Sequence, residues 1–379
     1  MSPSRCWPCS TPHGRRNQRS RPGVNPSRFN WRWWVTAEPV IGWDLGGAHL
    51  KAARLDPQGR IGPVVQVACP LWQGMEQLEE ALATVLSQVG PARRHAVTMT
   101  GEMVDLFPDR AVGVTRLAAA MHDWLSPAEL HFYAGDAGFL SANQVAAHTA
   151  ELASANWLAS ATCVAAHRPD ALFIDVGSTT VDLVPIVAGQ VAARGRNDFA
   201  RLVAGELLYT GVVRTPLMAL APAVPFEGDS VPLMAEYFAT TADVYRLMEQ
   251  LPDGADLHPA ADGGEKSVAG SARRLARMIG RDADTAPLDA WRALAAWFGA
   301  LQLRRVEEAC DRLRAVHALS DAAPIVLAGV GRFLAREVAT RRRWACCDFA
   351  DLFSAESGST GRASDCAPAV AVGWLLQRA

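Results

Sequence analysis

The stretch "VIGWDLGGAHLKAARLD", Val40 to Asp56, sets an aspartate and two glycines at the end of an apolar run, with a lysine shortly after them. "ALFIDVGSTTVDLVPI", Ala171 to Ile186, repeats the plan: apolar run, Asp175, Gly177 with small hydroxyl residues, then apolar–polar alternation. Each reads as strand, glycine turn, strand. Glycine lets such a turn take positive φ and gather its N–H groups on an anion. Two turns of this kind in one chain predict two halves of one phosphate-handling site. Gly46, Gly47, Gly177 and Ser178 form the turns, Lys51 adds charge, and Thr179 and Thr180 add hydroxyl donors. Asp44 and Asp175 cannot attract phosphate themselves; they make sense as ligands of Mg²⁺, which bridges to phosphate oxygens. Asp182 is a third carboxylate in the set.

Working outward, Asp56-Pro57-Gln58-Gly59 closes the first hairpin and "RIGPVVQVACPL" supplies a third strand. "GMEQLEEALATVLSQVG" has apolar residues at helical spacing and stops at Gly90. Strand, helix, strand and an Ala-rich helix, "ANWLASATCVAAH", then lead into the second glycine strand and a hairpin turning at Ala188-Gly189. The order is that of a duplicated α/β unit, with a first domain over 39–165 and a second over 166–379. Residues from about 207 to 317 read as a mostly helical insertion. "VLAGVGRFL", Val326 to Leu334, returns to strand, Gly loop and helix, so Gly329 and Gly331 are further candidates to meet a phosphate or a flat ring.

The chain has 379 residues, half of them apolar, and a formal net charge of -2. That length builds two ordinary domains with a buried core. The balance excludes a sequence-independent nucleic-acid binder, which carries a basic excess. No apolar run approaches the roughly 20 residues of a membrane span. The eight cysteines sit in a long chain without a secretory signal, which points to reduced thiols and a cytoplasmic location. Residues 1–38 differ from the rest: Arg5, Arg15, Arg16, Arg19, Arg21, Arg28 and Arg32 lie among prolines and precede a single acid, Glu38. They read as a disordered basic appendage or sequence upstream of the true start.

"DLGGAHLK", "DVGSTTVD" and "LAGVGRFL", in that order, resemble the two phosphate loops and the adenosine loop of the actin, sugar-kinase and heat-shock-chaperone superfamily. The closest likeness is to its hydantoinase/oxoprolinase-like branch. The resemblance implies two ribonuclease-H-like (actin-like ATPase) domains with mixed sheets and an interdomain cleft. A narrower resemblance rests on "TMTGEMVDLF" (Thr98 to Phe107), "ASANWLASA" (Ala153 to Ala161), "GELLYTGVVRTP" (Gly205 to Pro216) and "RRLARMIGRD" (Arg273 to Asp282). These are similar to the methanofuran-pathway synthases of methanogens and their counterpart in methylotrophic bacteria, linked to tetrahydromethanopterin-dependent one-carbon transfer. That subgroup implies a transferase joining an aminomethyl-furanmethanol diphosphate to the phenol of (γ-glutamyl)tyramine, releasing diphosphate.

The alternative carried by the same loops is an ATP-dependent small-molecule kinase or an oxoprolinase-type hydrolase. Two departures weigh against ATP. Ala48-His49 stands where the kinases usually have Thr or Ser, and Val330 separates Gly329 from Gly331. Neither affects a diphosphate reading. The phenol, with an unperturbed pKa near ~10, calls for a general base. Glu102 in "TGE" is the first candidate and Asp182 the second. Arg201 and Arg214 are candidates for the glutamyl carboxylates, and Tyr209 for stacking on an aromatic substrate. Arg273, Arg274, Arg277 and Arg281, at helical spacing, read as a solvated basic face.

Overall fold

A computed structural model describes residues 38–354 and 360–379, all within one compact unit. The basic segment, with Cys6 and Cys9, lies outside the described residues apart from Glu38.

The first repeat begins with β1 (Val40–Leu45), β2 (His49–Leu55) and β3 (Ile61–Ala68), an antiparallel meander. Helix α1 (Glu76–Val89) then buries Leu78, Ala81, Leu82 and Val85, the helical spacing read from the sequence, and ends at Gly90 with φ 70°. It leads to β4 (Arg94–Met99), which pairs parallel with β1. Helix α2 (Arg110–Leu125), capped by the Asp109 side chain, precedes β5 (Glu129–Tyr133) and the short β6 (Phe139–Leu140). The sheet order is β3-β2-β1-β4-β5-β6. Short helix α3 (Thr149–Leu152) and helix α4 (Asn156–His167) lead out of it.

The second repeat copies this plan. β7 (Ala171–Val176) and β8 (Val181–Val187) form the antiparallel hairpin, extended by β9 (Gln190–Val191). After α5 (Asp198–Ala204), β10 (Leu207–Leu208) pairs with β8. The chain then leaves the sheet through a two-stranded ribbon, β11 (Ala223–Phe226) and β12 (Asp229–Pro232), and helices α6 (Thr241–Leu247), α7 (Val268–Met278) and α8 (Leu288–Val316). It returns as β13 (Ile325–Ala328), parallel to β7, then α9 (Arg332–Arg342) and β14 (Cys346–Asp348). The order β10-β8-β7-β13-β14 matches β3-β2-β1-β4-β5 of the first sheet, β6 having no counterpart and β9 pairing with β8 off this path. The ribbon is a feature the helical reading of 207–317 missed.

Helices α10 (Thr360–Asp365) and α11 (Ala367–Leu376) end the chain. Helix α11 is apolar on every side because it lies between the sheets, packed on β1, β2, β4 and α4. One core joins Val40, Ala53 and Ala96 of the first sheet to Phe173, Val184 and Val326 of the second through α4 and α11. The approach at β1 is close: a Cβ on Gly42 would sit 1.9 Å from the Ala369 carbonyl oxygen. The insertion has its own core around Trp291, Phe298 and Leu275. Within it the basic-face expectation fails at Arg274, which is fully buried and donates to Asp243 at 2.8 Å and Asp262 at 3.0 Å. Six described cysteines carry free thiols, and no helix among the described residues is long and apolar enough to cross a membrane.

Candidate active site

Both glycine turns open on one cavity of about 400 Å³, with Gly46, Gly47 and Lys51 on one side and Gly177, Ser178 and Thr180 on the other. The repeat extends to the hydrogen bonds that shape them. Gly46 N–H donates to His49 O at 3.0 Å, and Gly177 N–H donates to Thr180 O at 2.8 Å. The carbonyls of each turn are held by a neighbouring segment. Cys69 and Leu71 donate to Ala48 and Gly47 in the first; Gly211, Val212 and Val213 donate to Thr179, Gly177 and Ser178 in the second. The amides of Gly47, Ala48, Ser178, Thr179 and Thr180, all in residues lining the cavity, have no acceptor among the described residues. Free amides gathered in the lining of one cavity are the elements of an anion-binding concavity.

The reason for glycine differs from the one expected. Gly46, Gly47 and Gly177 all lack the positive φ that marks other glycines of this chain. At Gly46 a Cβ would meet His49 O at 2.9 Å, and at Gly47 it would meet Val104 at 2.7 Å; Gly177 has room, with Thr180 O at 3.5 Å. Close approach, not left-handed backbone, fixes the first pair.

Lys51 lies 3.3 Å from Asp44 Oδ2. Burial disfavours its charge, but Asp44, aided by Cys366 and Asp175, holds the ammonium above the usual lysine value. Asp44 is itself buried and lines the cavity, and its Oδ1 has no partner. Thr98, its register partner across β1 and β4, likewise has an unpartnered buried hydroxyl. An open carboxylate oxygen beside an open hydroxyl fits a hard cation. Among the described residues no three acidic, histidine or cysteine side chains converge as a metal shell, so a Mg²⁺ here would keep most of its waters. Asp175 stands behind the cavity lining, with Oδ1 pressed against Gly329. Burial raises its carboxyl to about 7 against the pull of Lys51, with Asp182 and Asp44 adding to the rise.

His49 also lines the cavity, buried, with Nε2 unpartnered. Its ring packs on His258 at 4.9 Å. Burial and the charges of Lys51, His258 and Arg214 push this imidazole well below the ordinary histidine value. His258 comes from the insertion and meets Ala48 O at 2.9 Å, so the second repeat clasps the first turn. Arg214 stacks over Trp72 at 5.0 Å and has no carboxylate partner among the described residues. Tyr209 is largely exposed at the mouth.

The same cavity has carboxylates in its wall. Asp182 lines the cavity but is tied to Arg201 at 2.7 Å. Arg201 is buried, also donates to Glu206 O at 3.0 Å, and stacks on Trp157 at 4.0 Å. It braces the wall with its charge already met. Asp198 is tied to Arg110 at 2.6 Å. Glu102 lies one layer behind the surface, 1% exposed, with Ser154 Oγ 2.9 Å from its Oε1. Ser154 does line the cavity, and its backbone has φ 52°. Burial raises Glu102 above the usual glutamate value, and no cation pairs with it among the described residues.

Gly329 and Gly331 are not brought to this cavity. Gly329 has φ 81° and Gly331 N–H donates to Val176 O at 2.8 Å; a Cβ on either would collide with Val176. Sequence reasoning missed Ser154, Asp198, Trp72, His49 and His258. Only the polar His49 inside a glycine turn gave any local signal.

The hydantoinase/oxoprolinase family model matches residues 93–349. A curated relative from Methanocaldococcus jannaschii, the (4-{4-[2-(gamma-L-glutamylamino)ethyl]phenoxymethyl}furan-2-yl)methanamine synthase, is 26% identical over 299 residues, covering 79% of this chain and 88% of the relative. The protein of the same name from Methanococcus vannielii is 33% identical over 111 residues, 29% of this chain and 50% of that one. Among solved structures, a ROK family glucokinase from Streptomyces griseus has TM-score 0.43 at 13% identity, covering 88% of this chain and 98% of that one. The activator of 2-hydroxyisocaproyl-CoA dehydratase from Clostridium difficile has TM-score 0.44 at 11% identity, covering 90% and 96%.

Proposed function

This chain belongs to the hydantoinase/oxoprolinase family, and from that footing we propose that it is a transferase forming a furanylmethyl aryl ether with loss of diphosphate. The curated relatives are named for a product in which a phenol oxygen carries a furanylmethyl group. The proposed substrates are an aminomethyl-furanmethanol diphosphate and the phenol of γ-glutamyltyramine. The phenol oxygen bonds to the furanylmethyl carbon as that carbon's bond to the diphosphate oxygen breaks, and the electron pair leaves with diphosphate.

One observation carries this reading: a single cavity is lined by the free amides of both glycine turns, by Lys51 and Arg214, and by the carboxylates Asp44, Asp182 and Asp198. The amides of the two turns, with the charges of Lys51 and Arg214, suit diphosphate and stabilise the charge it gains as it leaves, and the neutral His49 ring beside them offers its unpartnered Nε2. Arg214 is assigned to this end because it lines the same cavity and has no carboxylate partner among the described residues. Mg²⁺ held at Asp44 would supply further neutralisation of the leaving group. Glu102 is the base: Asp182 and Asp198 are neutralised by arginines, whereas Glu102 is buried, raised and in no ion pair among the described residues. Gly329 and Gly331 are taken up in packing on Val176, which supports diphosphate over ATP as the ligand.

The test is to incubate the purified protein with both substrates and Mg²⁺, following ether by mass spectrometry and diphosphate by a coupled assay. Stoichiometric appearance of both is expected. Strong thermal stabilisation by ATP, with none by diphosphate and no ether formed, would return the kinase alternative.

A further inference from the structure

A second cavity, of about 530 Å³, lies beside the first. Ser154 and Trp157 line both cavities, so the two spaces adjoin along an edge at these residues. The Arg110–Asp198 pair continues it, Arg110 lining the second cavity and Asp198 the first. The size is that of an ordinary small-molecule site, roughly 300–1,000 Å³. Its lining is alanine-rich and includes Leu158 and Trp157, apolar surface suited to an aryl ring, among polar and charged residues. Its charges are of both signs: Arg196 and Asp136, 3.8 Å apart and both exposed, with Glu151 also present. Exposed pairs of this kind contribute little and exchange partners readily. A zwitterionic amino-acid group presents one charge to each.

We propose that this second cavity is the acceptor chamber, binding a phenol that carries an amino-acid arm with its hydroxyl toward Ser154, and that Ser154 relays the phenol proton to Glu102. The assignment rests on the transferase reading above. Ser154 is placed for the role by three facts: a left-handed backbone at a non-glycine residue, the strain that recurs at functional sites; a hydroxyl 2.9 Å from Glu102 and 3.3 Å from Asp198; and a position on both linings. As the phenol oxygen attacks, its proton passes to Ser154 Oγ while the Ser154 proton passes to Glu102. Asp198, fixed by Arg110, is the longer of two acceptors of that single hydroxyl proton, and in the relay the proton goes to the nearer one, Glu102.

Calorimetric titration with γ-glutamyltyramine, with tyramine and with inorganic diphosphate separates the possibilities without turnover. Ala137→Trp, which fills the chamber, and Arg196→Ala are each expected to weaken γ-glutamyltyramine about tenfold or more, with diphosphate affinity unchanged. Ser154→Ala is expected to lower kcat by about 10²–10⁴ and to abolish the acidic limb of the pH–rate profile that Glu102 imposes. Ser154→Gly, which relieves the backbone strain, should remain as inactive. Unaltered γ-glutamyltyramine binding in both chamber variants overturns the chamber, and an unchanged pH profile in Ser154→Ala overturns the relay. If the wild type binds γ-glutamyltyramine through Arg196 but forms no ether, the transferase reading falls while the chamber stands.

Discussion

Arg201 and Asp182 meet at 2.7 Å in the cavity wall, and each neutralises the other. Arg201 is 1% exposed, and burial pushes the Asp182 carboxyl upward while Arg201 pulls it back. Removing one partner of a buried pair leaves an uncompensated charge, at about 3–5 kcal/mol. Arg201→Met is therefore expected to lower unfolding free energy in urea by about that much, and Arg201→Met/Asp182→Leu by much less. Equal losses in the single and double variants would show that the stack on Trp157, not the charge pairing, holds this wall.

Glu102→Gln should separate chemistry from binding. The amide keeps the contact with Ser154 but cannot take a proton. Turnover is expected to fall by about 10²–10⁴, with diphosphate affinity measured by calorimetry within a factor of about two. A parallel loss of both would make Glu102 a support for the phosphate end.

The glycines give a graded series. Gly42→Ala forces a methyl to 1.9 Å from Ala369 O, and Gly46→Ala to 2.9 Å from His49 O, whereas Gly177→Ala meets nothing closer than 3.5 Å. Expected losses are several kcal/mol for Gly42→Ala, roughly 1–3 for Gly46→Ala and under about 1 for Gly177→Ala. Thermal melts of the three variants check the order.

His95 supplies a pH signature away from the site. Trp43 Nε1 donates to its Nδ1 at 2.9 Å, so the remaining proton is on Nε2, which donates to Ala92 O at 3.0 Å. Burial, with Arg54 adding, lowers this imidazole from 6.5 to about 4, against the raising effect of Ala92. The folded protein keeps it neutral where the unfolded chain takes up a proton. Its contribution is complete above about pH 6.5 and is lost as pH falls toward 4, a change of about 3 kcal/mol. His95→Gln should flatten that part of the stability–pH curve; an unchanged slope would assign it to other groups.

The hairpins and α1 were legible because their signals are local: alternation on either side of a turn, and apolar residues at helical spacing up to Gly90. The duplicated order read from them reappears in both sheets. The side chains that complete the site were not legible, because distance along the chain hides them. His258 reaches Ala48 from 210 residues away, and Ser154 meets Glu102 across 52. Arg274 misled for a related reason: helical spacing cannot reveal that Asp243 and Asp262 wait on another segment to make burial tolerable. Glu102 was found by its neighbours in "TGE", but its retreat behind Ser154 depends on how α4 approaches from the far end of the first repeat.

Helix α11 lies on β1, so the opening strand of the fold is covered by the last helix described, far from it along the chain. During synthesis the first sheet emerges with one face bare and stays so until Ala367–Leu376 has left the ribosome. The nascent chain is thus expected to rely on chaperones until late, and a version cut before Ala367 should aggregate rather than yield a working half.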